Sequence, residues 1–333
     1  MWSGGLPYRA RGHCVGSHPD SKTRLDGGTL AQYRSICTKL ETWADANSIE
    51  WVHDVTTLQL EAWYSSAAWK KYGEAARSQR WTVVRSMFAF LLERKVTTHN
   101  VCAPIKPTPL SGSLVQGPFT DDQVEAVFTQ ARTIQIHDRN ILKAERNVYR
   151  ARLLAFMTLL LHTGCDLIDA ALFQPGQIVD LDVDGNIVPV YRYNRIKTGV
   201  LAVIPLSAEV AQVLRSVPTL PSNPEGMPFR TKSPLAGDPK FWSRRIRKCL
   251  RAAGVTKVTL PRDNRGRVRT KTASAKQFRH TFAVRQLRAG QRAEEVATML
   301  GHVDTAMVRK HYAPWVEDLD TAHVRRIVQR RAQ

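Results

Sequence analysis

The sequence predicts a mainly α-helical protein with one small antiparallel β-sheet, built as a helical N-terminal domain and a mixed α+β C-terminal domain. Three observations lead there. Capping boxes followed by apolar residues at spacings of three and four recur along the chain. The period changes to two only between Gln177 and Leu206. A stretch rich in proline and glycine, residues 104–119, then separates the two parts. The length of 333 residues suits two domains of about 100–200 residues each.

Residues 1–25 carry Gly, Pro and Ser without periodicity and read as a flexible arm; Cys14 and His18 within it are too few to make a metal site. Residues 26–103 read as a small helical bundle. Thr29-x-x-Gln32 opens a first helix with Leu30, Tyr33, Cys37, Leu40 and Trp43 on one face. Thr56-x-x-Gln59 opens a second, with Leu60, Trp63, Tyr64 and Ala67 inward. Trp81, Val84, Met87, Phe88 and Leu91 make the stripe of a third. Trp43, Trp51, Trp63, Trp69 and Trp81 all lie here, and their helical spacing marks them as core rather than a base-stacking platform. The linker 104–119 holds Pro104, Pro107, Pro109, Gly112 and Gly117.

The second domain, residues 120–333, starts at the box Thr120-x-x-Gln123. Arg150 to Leu161 is dense in Leu, Ala, Met and Phe and predicts a buried helix. Asp184-Gly185 is a hairpin turn, and the Tyr191/Tyr193 alternation marks a strand, which Pro189 places at an edge or starts late. Thr198-Gly199 turns into Leu201 to Ile204, leaving Lys197 at a turn. Helices resume at Asp238-Pro239 and continue to the end, with Gly254, Gly290 and Gly301 as stops. Ser274-x-x-Gln277 caps one of them, so Lys276 and Arg279 lie one turn apart at its positive end, an arrangement suited to one phosphate.

Composition narrows function. Lys+Arg number 49 against 29 Asp+Glu, for a net charge of +20. The pI is near 10.2. A basic surplus of this size points to nucleic acid, because cations that neutralise phosphates release counterions. It is clustered at Arg244, Arg245, Arg247 and Lys248, at Arg262, Arg265, Arg267, Arg269 and Lys271, and at Arg325, Arg326, Arg330 and Arg331. The longest apolar run, Leu153 to Leu161, is about half of a membrane span. Met1 to Gly12 has no apolar core of a signal peptide, and five scattered cysteines with no CxxC pair encode neither a disulfide framework nor a zinc site. A reducing cytoplasm is expected, with no cofactor and no metal.

The most informative residues are in the C-terminal third: Phe278-Arg279-His280-Thr281-Phe282-Ala283-Val284, then Leu300-Gly301-His302, then Lys310-His311-Tyr312-Ala313-Pro314-Trp315. In this order and spacing they resemble the tyrosine recombinase (phage integrase) family, strongly over 276–316 and more loosely over 29–325. The resemblance implies a helical core-binding domain and a catalytic domain that clamp duplex DNA, and site-specific recombination for integration or excision of a mobile element. Tyr312 would be the nucleophile that forms a 3′-phosphotyrosyl bond. Arg279 would bind the non-bridging oxygens and His302 would donate a hydrogen bond to them. Lys276 stands where many members have His, and Lys197 resembles the hairpin lysine that protonates the leaving 5′-oxygen. No ATP or metal is implied. Protomers would assemble on DNA as dimers to tetramers, with Ala322 to Val328 docking on a neighbour, at the bacterial nucleoid.

One position departs from the family. Its Thr-Gly-x-Arg motif reads Thr163-Gly164-Cys165-Asp166 here, so an anion replaces the second catalytic arginine. Three consequences stay open: a cleavage-deficient DNA-binding relative, substitution by another cation such as Arg192 or Arg195, or action beside an intact partner recombinase. An arginine restored at 166 is expected to raise cleavage if the site is otherwise intact.

Overall fold

The computed structural model describes residues 27–106, 117–135, 145–219, 227–229, 239–260, 268–312 and 315–316. The expected N-terminal arm, Arg262, Arg265, Arg267 and the C-terminal Ala322 to Val328 segment lie outside them. The chain forms two compact units, Met1–Ser113 and Leu114–Gln333.

In the first unit α1 (Gly27–Ala46), α2 (Thr57–Ser65), α3 (Ala67–Lys70) and α4 (Glu74–Glu93) share one apolar core. α1 starts at Gly27, earlier than the Thr29-x-x-Gln32 box would begin it, so Thr29 lies in its first turn. Ile36, Leu40 and Ala44 are buried, with Tyr33, Cys37 and Trp43 packed at the margin. α2 has its predicted box: Gln59 N–H donates to the Thr56 hydroxyl at 3.3 Å, and Thr56 N–H donates to Gln59 Oε1 at 2.8 Å. Thr56→Ala is expected to lower stability by about 1 kcal/mol, read as a reduced midpoint in urea denaturation. Ala67 is exposed rather than inward. The reason is a break at Ser66, whose extended backbone ends α2 and starts α3, so that Trp69 takes the buried place. Trp63 meets Trp69 at 4.9 Å and Tyr64 meets Trp81 at 4.7 Å, so these aromatics are core.

The second unit is organised on α6 (Arg146–Thr163), whose residues Leu153, Phe156, Met157, Leu159 and Leu160 are all buried. α5 (Asp121–Thr133), capped by the Thr120/Gln123 box, packs on it. α7 (Leu167–Ala171) follows, then an antiparallel sheet in the order β1 (Ile178–Val183), β2 (Asn186–Asn194), β3 (Leu201–Pro205). Asp184-Gly185 makes the β1–β2 turn as predicted, with both residues at positive φ. Pro189 lies in the central strand, not at an edge. Its carbonyl faces β3 and accepts from Leu206 N–H at 2.8 Å, one pair beyond the last β2–β3 pairing of Val190 with Pro205. The missing proline N–H points the same way, so it removes one bond at the end of a ladder and none from its middle.

α8 (Ala208–Arg215) and α9 (Pro239–Ala252) come next; α9 begins on its proline, and Asp238 is outside the described residues. The chain does not then stay helical. β4 (Lys257–Thr259) pairs antiparallel with β5 (Thr270–Thr272), a short ladder of β-branched and lysine residues. α10 (Lys276–Arg288), α11 (Ala293–Met299) and α12 (Ala306–Tyr312) complete the fold, with α10 packed against α6, α11 and α12. No helix among the described residues is long and apolar enough to cross a membrane.

Candidate active site

α10 carries the central side chain. Its N-terminal cap is half of the predicted one: Ser274 N–H donates to Gln277 Oε1 at 2.6 Å, but the Ser274 hydroxyl donates there too, and Ala275 occupies the cap position. Lys276 is the exposed first residue of the helix, whereas Arg279, one turn on, is only 8% exposed. The two are one turn apart as expected, yet only Arg279 is enclosed.

Arg279 gathers three segments. Nη1 donates to the Gly164 carbonyl at 2.6 Å, Nη2 donates to the Leu300 carbonyl at 2.9 Å, and Nη2 lies 3.0 Å from His302 Nε2. Gly164 ends α6 at φ 62°, and Gly301 follows α11 at φ 61°. These left-handed residues turn the chain so that neighbouring carbonyls face the guanidinium. At Gly164 a Cβ would lie 2.5 Å from Phe282 Cδ1 and 2.8 Å from Leu300 Cδ2, so only glycine fits. A guanidinium has donors and no acceptor. His302 Nε2 therefore accepts, and the ring proton belongs on Nδ1. Burial, with Arg279 and Arg195 adding to it, brings the His302 pKa down to about 4, so the ring is neutral at pH 7.

Tyr312 ends α12 and is 3% exposed. Burial pushes its phenol above the ordinary value, against the nearby Arg279 guanidinium, which favours the phenolate. The His280 ring packs 5.4 Å from the Tyr312 ring. Burial, then His311 and Arg279, brings His280 to about 4 as well. Both histidines have folded values below the unfolded one, near 6.5. The unfolded chain then binds more protons between pH 6.5 and 4, so their contribution to stability is complete above pH 6.5 and is lost as pH falls toward 4. The melting temperature is expected to drop over that interval, and the double variant His280→Asn, His302→Asn to flatten the drop.

Asp166 precedes α7 and makes no helix cap. Its Oδ2 instead pairs with Arg195 Nη2 at 2.5 Å. Burial, the largest influence, raises the Asp166 carboxyl, but Arg279, Arg195 and Lys197 together outweigh it and hold the group below its usual value. Arg195, at the end of β2, is 7% exposed, and its Nη1 also reaches the Gly301 carbonyl at 3.4 Å. The Thr198 hydroxyl donates to the same carbonyl at 3.1 Å, which ties the Lys197 turn to the turn before His302. Lys197 itself is exposed, and so is Arg192. Of the two cations considered as substitutes at position 166, Arg195 is the one in contact. Sequence reasoning missed Asp169, which is 4% exposed and accepts Ile196 N–H at 3.0 Å. Its only signal was a place one turn after Asp166.

On α9, Arg244, Arg247 and Lys248 are exposed. Arg245 is not: it is 6% exposed with its guanidinium 4.9 Å over the Phe241 ring. Position 245 shares the inward face with Trp242, Ile246 and Cys249, so helical period removes it from the basic surface. Arg269 is half-buried beside β5 and Arg267 lies outside the described residues.

The site thus sets a phenol, two neutral imidazoles and two guanidiniums around the Gly164 and Gly301 turns, a group able to hold a phosphate beside an oxygen nucleophile. No curated protein matches the chain. Among solved structures it is similar to a lambda integrase dimer bound to a COC′ core site, at 15% identity and TM-score 0.62, covering 89% of this chain and 92% of that one. It is also similar to XerH site-specific recombinase bound to palindromic difH substrate, at 13% identity and TM-score 0.61 over 84% and 75% of the two chains. The Tn1549 transposon integrase in complex with a circular intermediate DNA matches at 14% identity and TM-score 0.61 over 92% and 95%. At such identities the likeness is one of fold. The sequence pattern of the phage integrase family, however, matches residues 119–315. That is more than half of the chain and includes every segment that meets at Arg279, and the chain belongs to the phage integrase family.

Proposed function

We propose that this protein cuts and rejoins DNA at specific sites through a 3′-phosphotyrosyl bond to Tyr312, serving the integration or excision of a mobile element. The observation that carries this reading is that Arg279 of α10 meets the His302 ring at 3.0 Å and lies near the Tyr312 phenol at the end of α12. A phosphodiester entering there would accept from Arg279 and from His302. The Arg279–His302 contact in the free protein already marks the place, since one oxygen between the two nitrogens satisfies both once the His302 proton moves to Nε2 or a second proton is taken up. Phosphate binding then favours protonation of His302, against the burial that keeps the ring neutral without it.

In the chemical step Tyr312 oxygen forms a bond to phosphorus and the bond from phosphorus to the 5′-oxygen breaks. The phenolic proton passes from Tyr312 to water, and the 5′-oxygen takes a proton from Lys197. Arg279 stabilises the charge that gathers on the non-bridging oxygens. The phosphodiester linkage is conserved in the tyrosyl ester, so the reverse attack by a 5′-hydroxyl rejoins the strand. Lys276, exposed at the start of α10, adds positive charge at the site's edge. The exposed Arg244, Arg247 and Lys248 would hold the DNA backbone, and the helical first unit would close on the duplex as a core-binding domain. Solved relatives include a lambda integrase dimer on a core site and a lambda integrase tetramer on a Holliday junction. Assembly of two to four protomers on DNA in the cytoplasm is part of the same proposal.

A second reading, a DNA-binding relative without cleavage, is favoured by Asp166, whose ionised carboxyl stands where the family has an arginine. Nicked duplexes cut from the DNA flanking the gene separate the two. The first reading expects a protein–DNA band on a denaturing gel in the presence of a chelator. The second expects a shifted complex on a native gel and no denaturant-resistant band.

A further inference from the structure

We infer that Arg195 supplies the second phosphate-binding guanidinium of this site, held in place by the carboxylate of Asp166. The expected cation is then not lost: it reaches the site from the end of β2, and the residue at 166 has become its positioning partner. This rests on the reading of Tyr312 and Arg279 as phosphate chemistry.

The grounds are geometric. Arg195 is nearly buried, which for an arginine demands compensation. Compensation comes from one carboxylate oxygen at 2.5 Å and one carbonyl at 3.4 Å. A guanidinium has five donors, so these two contacts leave donors unused, and Nε is buried without a partner. The Gly301 turn holds the group in place: its carbonyl accepts from Arg195 and from Thr198, and a Cβ at Gly301 would lie 3.1 Å from Arg195 Cδ. Arg279 contacts the two residues on either side of Gly301, through the Leu300 carbonyl and the His302 ring. The two guanidiniums therefore flank one turn. Tyr312 and His302 both lie within electrostatic reach of each. Arg195 is thus a second guanidinium beside the turn on which Arg279 and His302 would seat a phosphate. The side chain of Asp166 is a third exposed, so the ion pair is reached by solvent.

The same contact reverses the expectation for arginine at position 166. Asp166→Arg alone would set two guanidiniums against each other and release Arg195 from its tether. Restoring an arginine there is expected to lower phosphate chemistry, unless Arg195→Asp is made with it.

The test uses the full chain and nicked duplexes of gene-flanking DNA in two forms, with an ordinary scissile phosphate or a methylphosphonate that lacks the non-bridging negative charge. Covalent adduct and duplex affinity are measured for wild type, Arg195→Ala, Asp166→Asn, Asp166→Arg and the exchange Asp166→Arg with Arg195→Asp. Circular dichroism checks that each variant is folded. Arg195→Ala is expected to lose about 100-fold in adduct formation on the phosphate and far less on the methylphosphonate. Asp166→Asn, which keeps an acceptor, and the exchange should stay within about tenfold of wild type, whereas Asp166→Arg alone should fall well below both. Equal losses for Arg195→Ala on the two substrates would assign it a structural role and overturn the inference. If wild type forms no adduct, the cleavage reading fails separately. Affinity then decides: preference for charged over neutral phosphate that disappears in Arg195→Ala keeps the inference, and preference that persists in that variant overturns it.

Discussion

Arg279→Ala is expected to lower covalent DNA adduct formation by about 100-fold or more, as loss of one oxyanion donor does elsewhere, while duplex affinity stays within about tenfold. Two losses combine. The phosphate loses its bidentate partner, and the Gly164 and Leu300 carbonyls lose the donor that joins the end of α6 to the turn after α11. Affinity persists because backbone contacts come from many cations, among them the exposed Arg244, Arg247 and Lys248 of α9. Arg279→Lys keeps the charge but one ammonium cannot span two carbonyls and a phosphate, so it should recover only part of the activity. Adduct gels and mobility shifts at moderate salt measure both quantities. A near-total loss of binding in Arg279→Ala would contradict this division of labour.

Gly164→Ala is expected to cost about 2–5 kcal/mol of stability. The left-handed backbone at φ 62° is unfavourable for alanine by about 1–2 kcal/mol. The added methyl meets Phe282 and Leu300 at distances that force both to move, which adds about 1–3 kcal/mol. Gly185→Ala is the control: its φ is 79°, yet nothing lies within 4 Å of the new Cβ, so only the backbone cost applies. Urea denaturation of the two variants separates packing from backbone. Equal destabilisation would remove the claim that Gly164 is fixed by close approach. Because the Gly164 carbonyl holds Arg279, adduct formation should also suffer in Gly164→Ala and be unaffected in Gly185→Ala.

What the sequence made legible was local or carried by a long motif. The boxes at Thr56 and Thr120 and the turn at Asp184-Gly185 are read within four residues, and each forms as read. Arg279, His302 and Tyr312 are spread over 34 positions, but their flanking strings identified them together. The misreadings have physical causes of longer range. Ala67 fails because the helical phase restarts at Ser66, and Pro189 because a missing donor at the end of a ladder costs little. Arg245 looks like surface charge in a basic run, and only its phase relative to Trp242 reveals that it stacks on Phe241. The Arg195–Asp166 pair joins residues 29 apart across the whole β1–β2 hairpin. No spacing rule predicts that contact, so the sequence offers Arg192 and Arg195 as equal candidates and only the folded hairpin singles out Arg195.

The central claim, that Tyr312 attacks a DNA phosphate, is tested most directly by mapping the adduct. Wild type and Tyr312→Phe are incubated with nicked flanking duplexes in a chelator, the DNA is trimmed with nuclease, and peptides are weighed by mass spectrometry. The account predicts a nucleotide mass on the wild-type peptide containing Tyr312 and on no other peptide, with no adduct in Tyr312→Phe. An adduct on a different residue, or one of equal yield in Tyr312→Phe, would contradict it.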